Sequence, residues 1–202
     1  MFHDMLRYFI IYKPYKVLSQ FSKAGNKNTL ADFFNVPADV YPAGRLDEDS
    51  EGLLILTNDK KLNHHLLNPS FSHEREYWVQ VEGRITEQAI VQLQSGVEIN
   101  LDNIYYKTKP CKAFIFEDAP PVPVRNPPVR FRATVPDSWI SITLTEGKNR
   151  QVRKMCAKAG YPVLRLVRAR IEKIKTGSMQ PGDITELSKS VIYKKLFHGK
   201  RI

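Results

Sequence analysis

Apolar positions in this chain fall in short blocks of three kinds, unbroken runs, alternating runs and helical stripes. Residues 8–12 are aromatic and β-branched and stop at Lys13-Pro14, which predicts a buried strand. Residues 53–56 form an unbroken apolar run, short and sharply bounded, and predict a second. Between them residues 30–34 read as a short helix ahead of a loop carrying Pro37 and Pro42. Leu62, Leu66 and Leu67 share one face of a helix over residues 60–67, capped by Asn58 or Asp59 and stopped by Asn68-Pro69. Tyr77, Val79 and Val81 then alternate with Trp78, Gln80 and Glu82, the period of a half-buried strand. Thr86 opens a second helix with Ala89, Ile90 and Leu93 inward and Gly96 past its end, and strands follow at 97–101 and 112–116.

In the second half, residues 139–144 read as a strand ended by Glu146-Gly147. Asn149 is positioned to cap a helix whose apolar stripe is Val152, Met155, Cys156 and Ala159. Leu164 and Leu166 resume a strand toward Ile171, residues 181–187 make an edge element, and the basic tail beyond Ser188 is expected to be loose. Strands and helices interleave across hairpin-length gaps, so the fold class is α+β with a mixed, mostly antiparallel sheet. Seven of the 13 prolines lie between Pro110 and Pro136, and that stretch can be neither helix nor central strand. It is either a surface loop or boundary between halves, or an arm that reaches phosphates through Arg125, Arg130 and Arg132.

Charge changes the picture. Lys and Arg number 31 against 21 Asp and Glu, a formal net charge of +10, and the pI of about 9.6 points to a polyanionic partner, nucleic acid first. No segment is suited to anchor in a membrane and no signal peptide is visible, so the protein is expected in the cytoplasm. Cys111 and Cys156 form no C-x-x-C pair and read as core thiols of a reducing compartment. His3, His64, His65, His73 and His198 stand at no zinc spacing, so no metal is expected.

Two stretches carry candidate chemistry. In residues 44–59 four carboxylates, Asp47, Glu48, Asp49 and Glu51, crowd a loop that runs through Gly52 into the 53–56 strand. Like charges beside buried surface are destabilising unless cations or a function compensate them. The loop is open to three readings: a solvated acidic turn, a calcium loop, or a catalytic loop. Asp47-x-Asp49-x-Glu51-Gly52 mimics the start of a calcium loop, but Asn58 stands where a bidentate glutamate belongs and a strand follows where a helix is required. In the other stretch, residues 147–175 hold ten Lys or Arg against the single acid Glu172. That is either a solvated basic face or the footprint of a phosphate backbone.

Gly44-Arg45-Leu46-Asp47, followed by Ser50-Glu51-Gly52-Leu53-Leu54 and Leu56-Thr57-Asn58, resembles the signature of the bacterial pseudouridine synthases that modify ribosomal RNA, in the branch named for the small-subunit enzyme. Tyr12-Lys13-Pro14-Tyr15-Lys16-Val17-Leu18 is similar to that family's opening motif, and the run from Leu144 to Met155 to its third. The resemblance implies that Asp47 is the catalytic carboxylate. It places on Arg153 the cation paired with that aspartate, and on Tyr77 the active-site tyrosine that stacks on a flipped uracil. By spacing alone Arg153 reads equally as a phosphate contact and Tyr77 as a core residue. Arg45, Lys148, Arg150, Lys154, Arg165 and Arg168 are the expected RNA contacts; Glu48, Asp49 and Glu51 have no assigned chemistry.

The implied reaction breaks the C1′–N1 bond of a uridine, rotates the base, rejoins it through C5 and releases the C5 proton, with no cofactor. Asp47 acts either as nucleophile at C1′ or as base toward the 2′ proton, and either role needs it ionised. The resemblance further implies a bifurcated sheet in two subdomains with a central cleft, in one catalytic domain over 1–202 with its core at about 7–188. Many members carry a small RNA-binding module ahead of the opening motif; only seven residues precede the first strand here, so none is expected. Arg125-Asn126-Pro127-Pro128 and Tyr161-Pro162-x-Leu164-Arg165-Leu166 look most like a member acting on large-subunit ribosomal RNA. The expected partner is that RNA and the expected state a monomer. The alternative is a ribosomal RNA-binding protein without catalysis.

Overall fold

The structure, a computed structural model, describes residues 5–130 and 134–197. His3, Arg132, His198 and the remainder of the basic tail lie outside the described residues. Two compact units emerge, unit 1 from Met1–Phe71 with Arg168–Ile202, and unit 2 from Ser72–Val167.

Unit 1 opens with β1 (Tyr8–Lys13), followed by the short parallel pair β2 (Val17–Leu18) and β3 (Asn28–Thr29). The helix expected at 30–34 is a single 3-10 turn, Leu30–Asp32, boxed by Thr29 and Asp32. β4 (Tyr41–Pro42) and β1 flank β5 (Glu51–Thr57), both antiparallel to it, with Lys13 opposite Gly52 at one end and Tyr8 opposite Thr57 at the other. Every residue of β5 is buried. Leu53 and Ile55 face one apolar cluster and Leu54 and Leu56 another, and this two-sided burial is why its sequence shows no alternation. α1 (Lys60–Leu67) follows, capped by the Asp59 carboxylate, which accepts from the N–H groups of Lys61 and Leu62. Leu62 and Leu66 turn inward, whereas Leu67, expected on the same face, is exposed.

Unit 2 is built of antiparallel strands and helices. β6 (Arg75–Glu82) buries Val79 and Val81; α2 (Glu87–Gln94) is capped by Thr86 and buries Ala89, Ile90 and Leu93 as expected. β7 (Glu98–Leu101) and β8 (Ile104–Lys107) form a hairpin, and β9 (Lys112–Ile115) pairs with β10 (Asp137–Leu144), which pairs in turn with β6. The proline-rich stretch between β9 and β10 lies inside unit 2, so it is not a boundary between halves, and its described residues have no regular structure. α3 (Gln151–Lys158) buries Val152, Met155 and Cys156. Its N-cap is not Asn149 but Arg150, at φ 50° and without a side-chain cap; instead the Lys148 N–H donates to Gln151 Oε1 at 2.9 Å, so the turn is closed from inside the helix. β11 (Val163–Ile171) begins in this unit and ends in unit 1.

The chain then completes unit 1 with β12 (Ile174–Lys175), the edge strand β13 (Ile184–Glu186) antiparallel to β1, and α4 (Lys189–Phe197). The tail expected to be loose is a helix over these residues. Ile192, Leu196 and Phe197 are buried in the cluster with Leu53, Ile55, Leu62 and Leu66. The Tyr193 hydroxyl donates to Asp59 Oδ2 at 2.6 Å beside that of Tyr8 at 2.7 Å. Burial works to raise the Asp59 pKa, but these two donors and the helix N–H groups outweigh it and hold the carboxyl below its usual range.

Candidate functional site

In unit 1 the acidic stretch is shorter as a loop than it reads. Glu51 and Gly52 belong to β5, and Glu51 is buried, so the alternating oxygens of a calcium loop are not on one loop and that reading falls. Asp47, Glu48 and Asp49 remain on the loop, each half-buried, with Arg45 exposed beside them. The loop is turned by the Ser50 N–H donating to the Asp47 carbonyl at 3.1 Å, and Glu48 pairs with Lys27 at 2.7 Å. Among the described residues no group of three or more His, Cys, Asp or Glu side chains is placed to hold a metal ion.

Beneath the loop lies a cation that the sequence reading placed at a strand stop and in the opening motif but gave no role. Lys13 is fully buried and its Nζ donates to the carbonyls of Pro14 (2.8 Å) and Val17 (2.6 Å). Burial pushes its pKa down to about 7; Glu51, Asp49 and Asp47 pull the other way, and Arg168 adds to the lowering. The sequence showed a lysine at the end of an aromatic strand; the pairing of that strand sets Lys13 opposite Gly52, one residue from Glu51.

A depressed lysine makes the native state bind fewer protons than the unfolded chain above pH 7, so stability rises with pH from there toward the ordinary lysine range. The slope is at most about 1.4 kcal/mol per pH unit. Denaturant titrations at pH 7, 8 and 9 should show wild type gaining on Lys13→Met over that window; parallel curves would show that Lys13 does not titrate there.

Arg168, expected to contact RNA, is buried in unit 1 with its Nε donating to the Leu53 carbonyl at 2.7 Å. Arg165, in unit 2, is likewise buried and donates through Nη2 to the Pro123 carbonyl at 2.8 Å, fastening the proline-rich stretch. Burial corrects both expectations: each guanidinium gives a hydrogen bond to an internal carbonyl, which offsets part of its desolvation, although Arg168 Nη2 is buried with no hydrogen-bond partner among the described residues.

In unit 2, Tyr77 stands on β6 opposite Ile142 of β10, half-buried, its ring against the unit's core cluster. Arg153 lies half-buried on α3, with Nη1 at 3.5 Å from the Val163 carbonyl. Lys148 and Arg150 are exposed just ahead of that helix and Lys154 is half-buried on it. Glu146, missed at the sequence level, organises this end. Buried, it accepts from the Tyr106 hydroxyl (2.6 Å), the Lys109 N–H (2.9 Å) and Gln151 Nε2 (2.6 Å), tying the β7–β8 hairpin to the start of α3. That hydrogen bond, with burial, pushes the Tyr106 hydroxyl up to about 12. Lys148 Nζ stands 4.7 Å from the Tyr106 ring centroid, a cation–π contact at the base of the basic surface. Cys111 and Cys156 carry thiols that burial pushes up to about 11 and 12, core thiols and not nucleophiles.

These residues describe an α+β protein in which a carboxylate loop meets a buried strand in unit 1 and Glu146 holds the start of a basic helix in unit 2. A family profile described as RNA pseudouridylate synthase matches residues 7–158, and the chain belongs to that family. It is 49% identical over 178 residues to a protein of Vibrio parahaemolyticus named "Ribosomal large subunit pseudouridine synthase E", covering 88% of this chain and 72% of that one. Over 175 residues it is 49% identical to a Xanthomonas campestris pv. campestris protein of the same name, covering 86% and 91%. A solved structure described as "Crystal structure of pseudouridylate synthase" superposes with a TM-score of 0.78 at 25% identity, over 97% of this chain and 76% of that chain. Membership decides between the readings that the sequence left open: the protein is an enzyme that isomerises uridine to pseudouridine in RNA.

Proposed function

We propose that the substrate is a specific uridine of large-subunit ribosomal RNA and that Asp47 is the carboxylate that acts on its sugar. The observation that carries the substrate is the near-half identity, over most of both chains, to relatives whose names specify the large ribosomal subunit. Asp47 stands on a loop whose backbone is fixed at several points, as a group acting at one carbon must be. Tyr77 is the aromatic surface for the flipped base, and Arg153 the cation that favours an ionised carboxylate in a partly dry site. Arg45, Lys148, Arg150 and Lys154 supply the phosphate contacts, a contribution that falls steeply with salt. The protein acts in the cytoplasm as a monomer and without a metal.

The reaction conserves every atom: C1′ exchanges its bond from N1 to C5, C5 loses its proton and N1 gains one, so neither oxidant nor co-reactant is required. Chemical mapping of pseudouridine on large- and small-subunit ribosomal RNA, incubated with and without the protein, tests the substrate. One new site confined to large-subunit RNA is expected. A new site in small-subunit RNA alone, or none in naked or precursor RNA, would overturn the substrate assignment.

A further inference from the structure

We infer that Ser19 is a positioning residue for the isomerisation, its buried hydroxyl holding the backbone one residue ahead of Asp47. This rests on Asp47 being the acting carboxylate. Ser19 is only 4% exposed, and its Oγ bonds to both sides of one peptide unit pair: the Leu46 N–H donates to it at 3.0 Å, and it donates to the Leu46 carbonyl at 2.7 Å. A serine hydroxyl is one donor and an acceptor at once, and both capacities are used on this single residue. The segment bearing Ser19 holds the loop at a second point, where the Lys16 N–H donates to the Glu48 carbonyl at 2.8 Å. That segment is itself fixed by the Lys13 ammonium across Pro14 and Val17, and by the Leu30 N–H on the Gln20 carbonyl at 2.8 Å. Residues 46 and 48 are therefore both tied to the stretch after β1, and the Ser50 N–H closes the turn on the Asp47 carbonyl.

The consequence is kinetic. Alanine at position 19 leaves a buried N–H and carbonyl of Leu46 unpaired, and the cheapest relief is movement of the loop toward water. Displacement of a reacting group by about 1 Å costs up to roughly a hundredfold in rate, whereas phosphate contacts elsewhere on the protein do not depend on it. The clamp thus acts on kcat and not on KM.

Tritium release from C5 of [5-³H]uridine-labelled large-subunit ribosomal RNA measures both constants, at a temperature where circular dichroism shows each variant folded. Ser19→Ala is expected to lower kcat by about ten- to a hundredfold with KM within about twofold. Ser19→Cys, nearly the same shape with a weaker donor, should fall between it and wild type, and it decides the matter if the alanine variant does not fold.

Ser138→Ala is the matched control. Ser138 makes the same two-sided contact in unit 2, accepting from the Ile85 N–H at 3.1 Å and donating to the Gly83 carbonyl at 2.8 Å. Its loss should lower the melting temperature while leaving kcat intact. Wild-type kcat in both Ser19 variants, or an equal loss in Ser138→Ala, would overturn the assignment. Turnover in Asp47→Ala would instead remove the reading on which the clamp rests, and an inactive Asp47→Ala beside a fully active Ser19→Ala would remove the clamp alone.

Discussion

Asp47→Ala is expected to lose isomerisation by roughly 10⁴-fold or more while RNA binding stays within about threefold of wild type. Asp47 is half-buried on a loop held by backbone contacts, so removing its carboxylate opens no large cavity and breaks none of the bonds at Leu46 or Glu48. Both routes open to the reaction, attack at C1′ and abstraction at C2′, need an ionised oxygen that neither alanine nor a neutral amide supplies. Asp47→Asn, which keeps the shape, should therefore be as inactive as Asp47→Ala. Binding should hold or tighten slightly, since one negative charge leaves a protein of net charge +10 whose partner is a polyanion. Tritium release and filter binding at two salt concentrations read the two quantities separately. Turnover near wild type in either variant would exclude Asp47 as the acting group.

Gly52→Ala is the substitution expected to damage the fold most, by about 4 kcal/mol or a melting temperature roughly 10 °C lower. Gly52 sits at φ +102°, and a Cβ there would lie 2.4 Å from the Arg168 carbonyl oxygen and 2.9 Å from its nitrogen. Both are backbone atoms, so no side chain can swing aside. Relief requires moving apart two buried strands, one bearing Glu51 at the edge of the acidic loop, the other bearing the guanidinium that bonds Leu53. Activity should fall with the folded fraction, and thermal unfolding followed by circular dichroism checks it. A shift under 2 °C would mean that the strands tolerate a methyl group between them.

Elements whose apolar pattern was strong were legible in the sequence: β1, β5, α1, α2 and β6 lie within a residue or two of their expected positions. The β7–β8 hairpin was half missed because its two-residue turn, Asp102-Asn103, holds positive φ at both positions without the glycine that announces such turns. α4 was read as a loose tail because it lies at the end of a basic stretch, its three lysines set among its hydrophobes. Its burial depends on a groove built by α1 and β5, and that information is not local.

For the candidate site, the motif resemblance points to Asp47, Tyr77 and Arg153, whose roles are proposals, and composition overstated the basic footprint. Ten cations in 29 positions look alike in sequence. Only the folded chain, in which every residue of β11 from 165 to 169 is buried, shows that Arg165 and Arg168 lie inside while Lys148 and Arg150, ahead of α3, stay in water. Ser19 was passed over because it works through the backbone N–H and carbonyl of Leu46, partners that leave no residue-type signature, and Glu146 because its side-chain partners Tyr106 and Gln151 meet it only in the folded chain.

The chain order of the two units bears on synthesis. Unit 2 is one uninterrupted stretch, 72–167, whereas unit 1 is assembled from the two ends of the chain. As the polypeptide leaves the ribosome, β1 can pair with β5 early, but its other edge waits for β13, with Phe9 meeting Glu186 only after nearly the whole sequence has been made. Until then an aromatic strand edge stands open beside a carboxylate loop already in place. The first unit to begin is thus the last to close, and the protein's exposure to misassembly is concentrated in the interval between the emergence of β5 and that of β13.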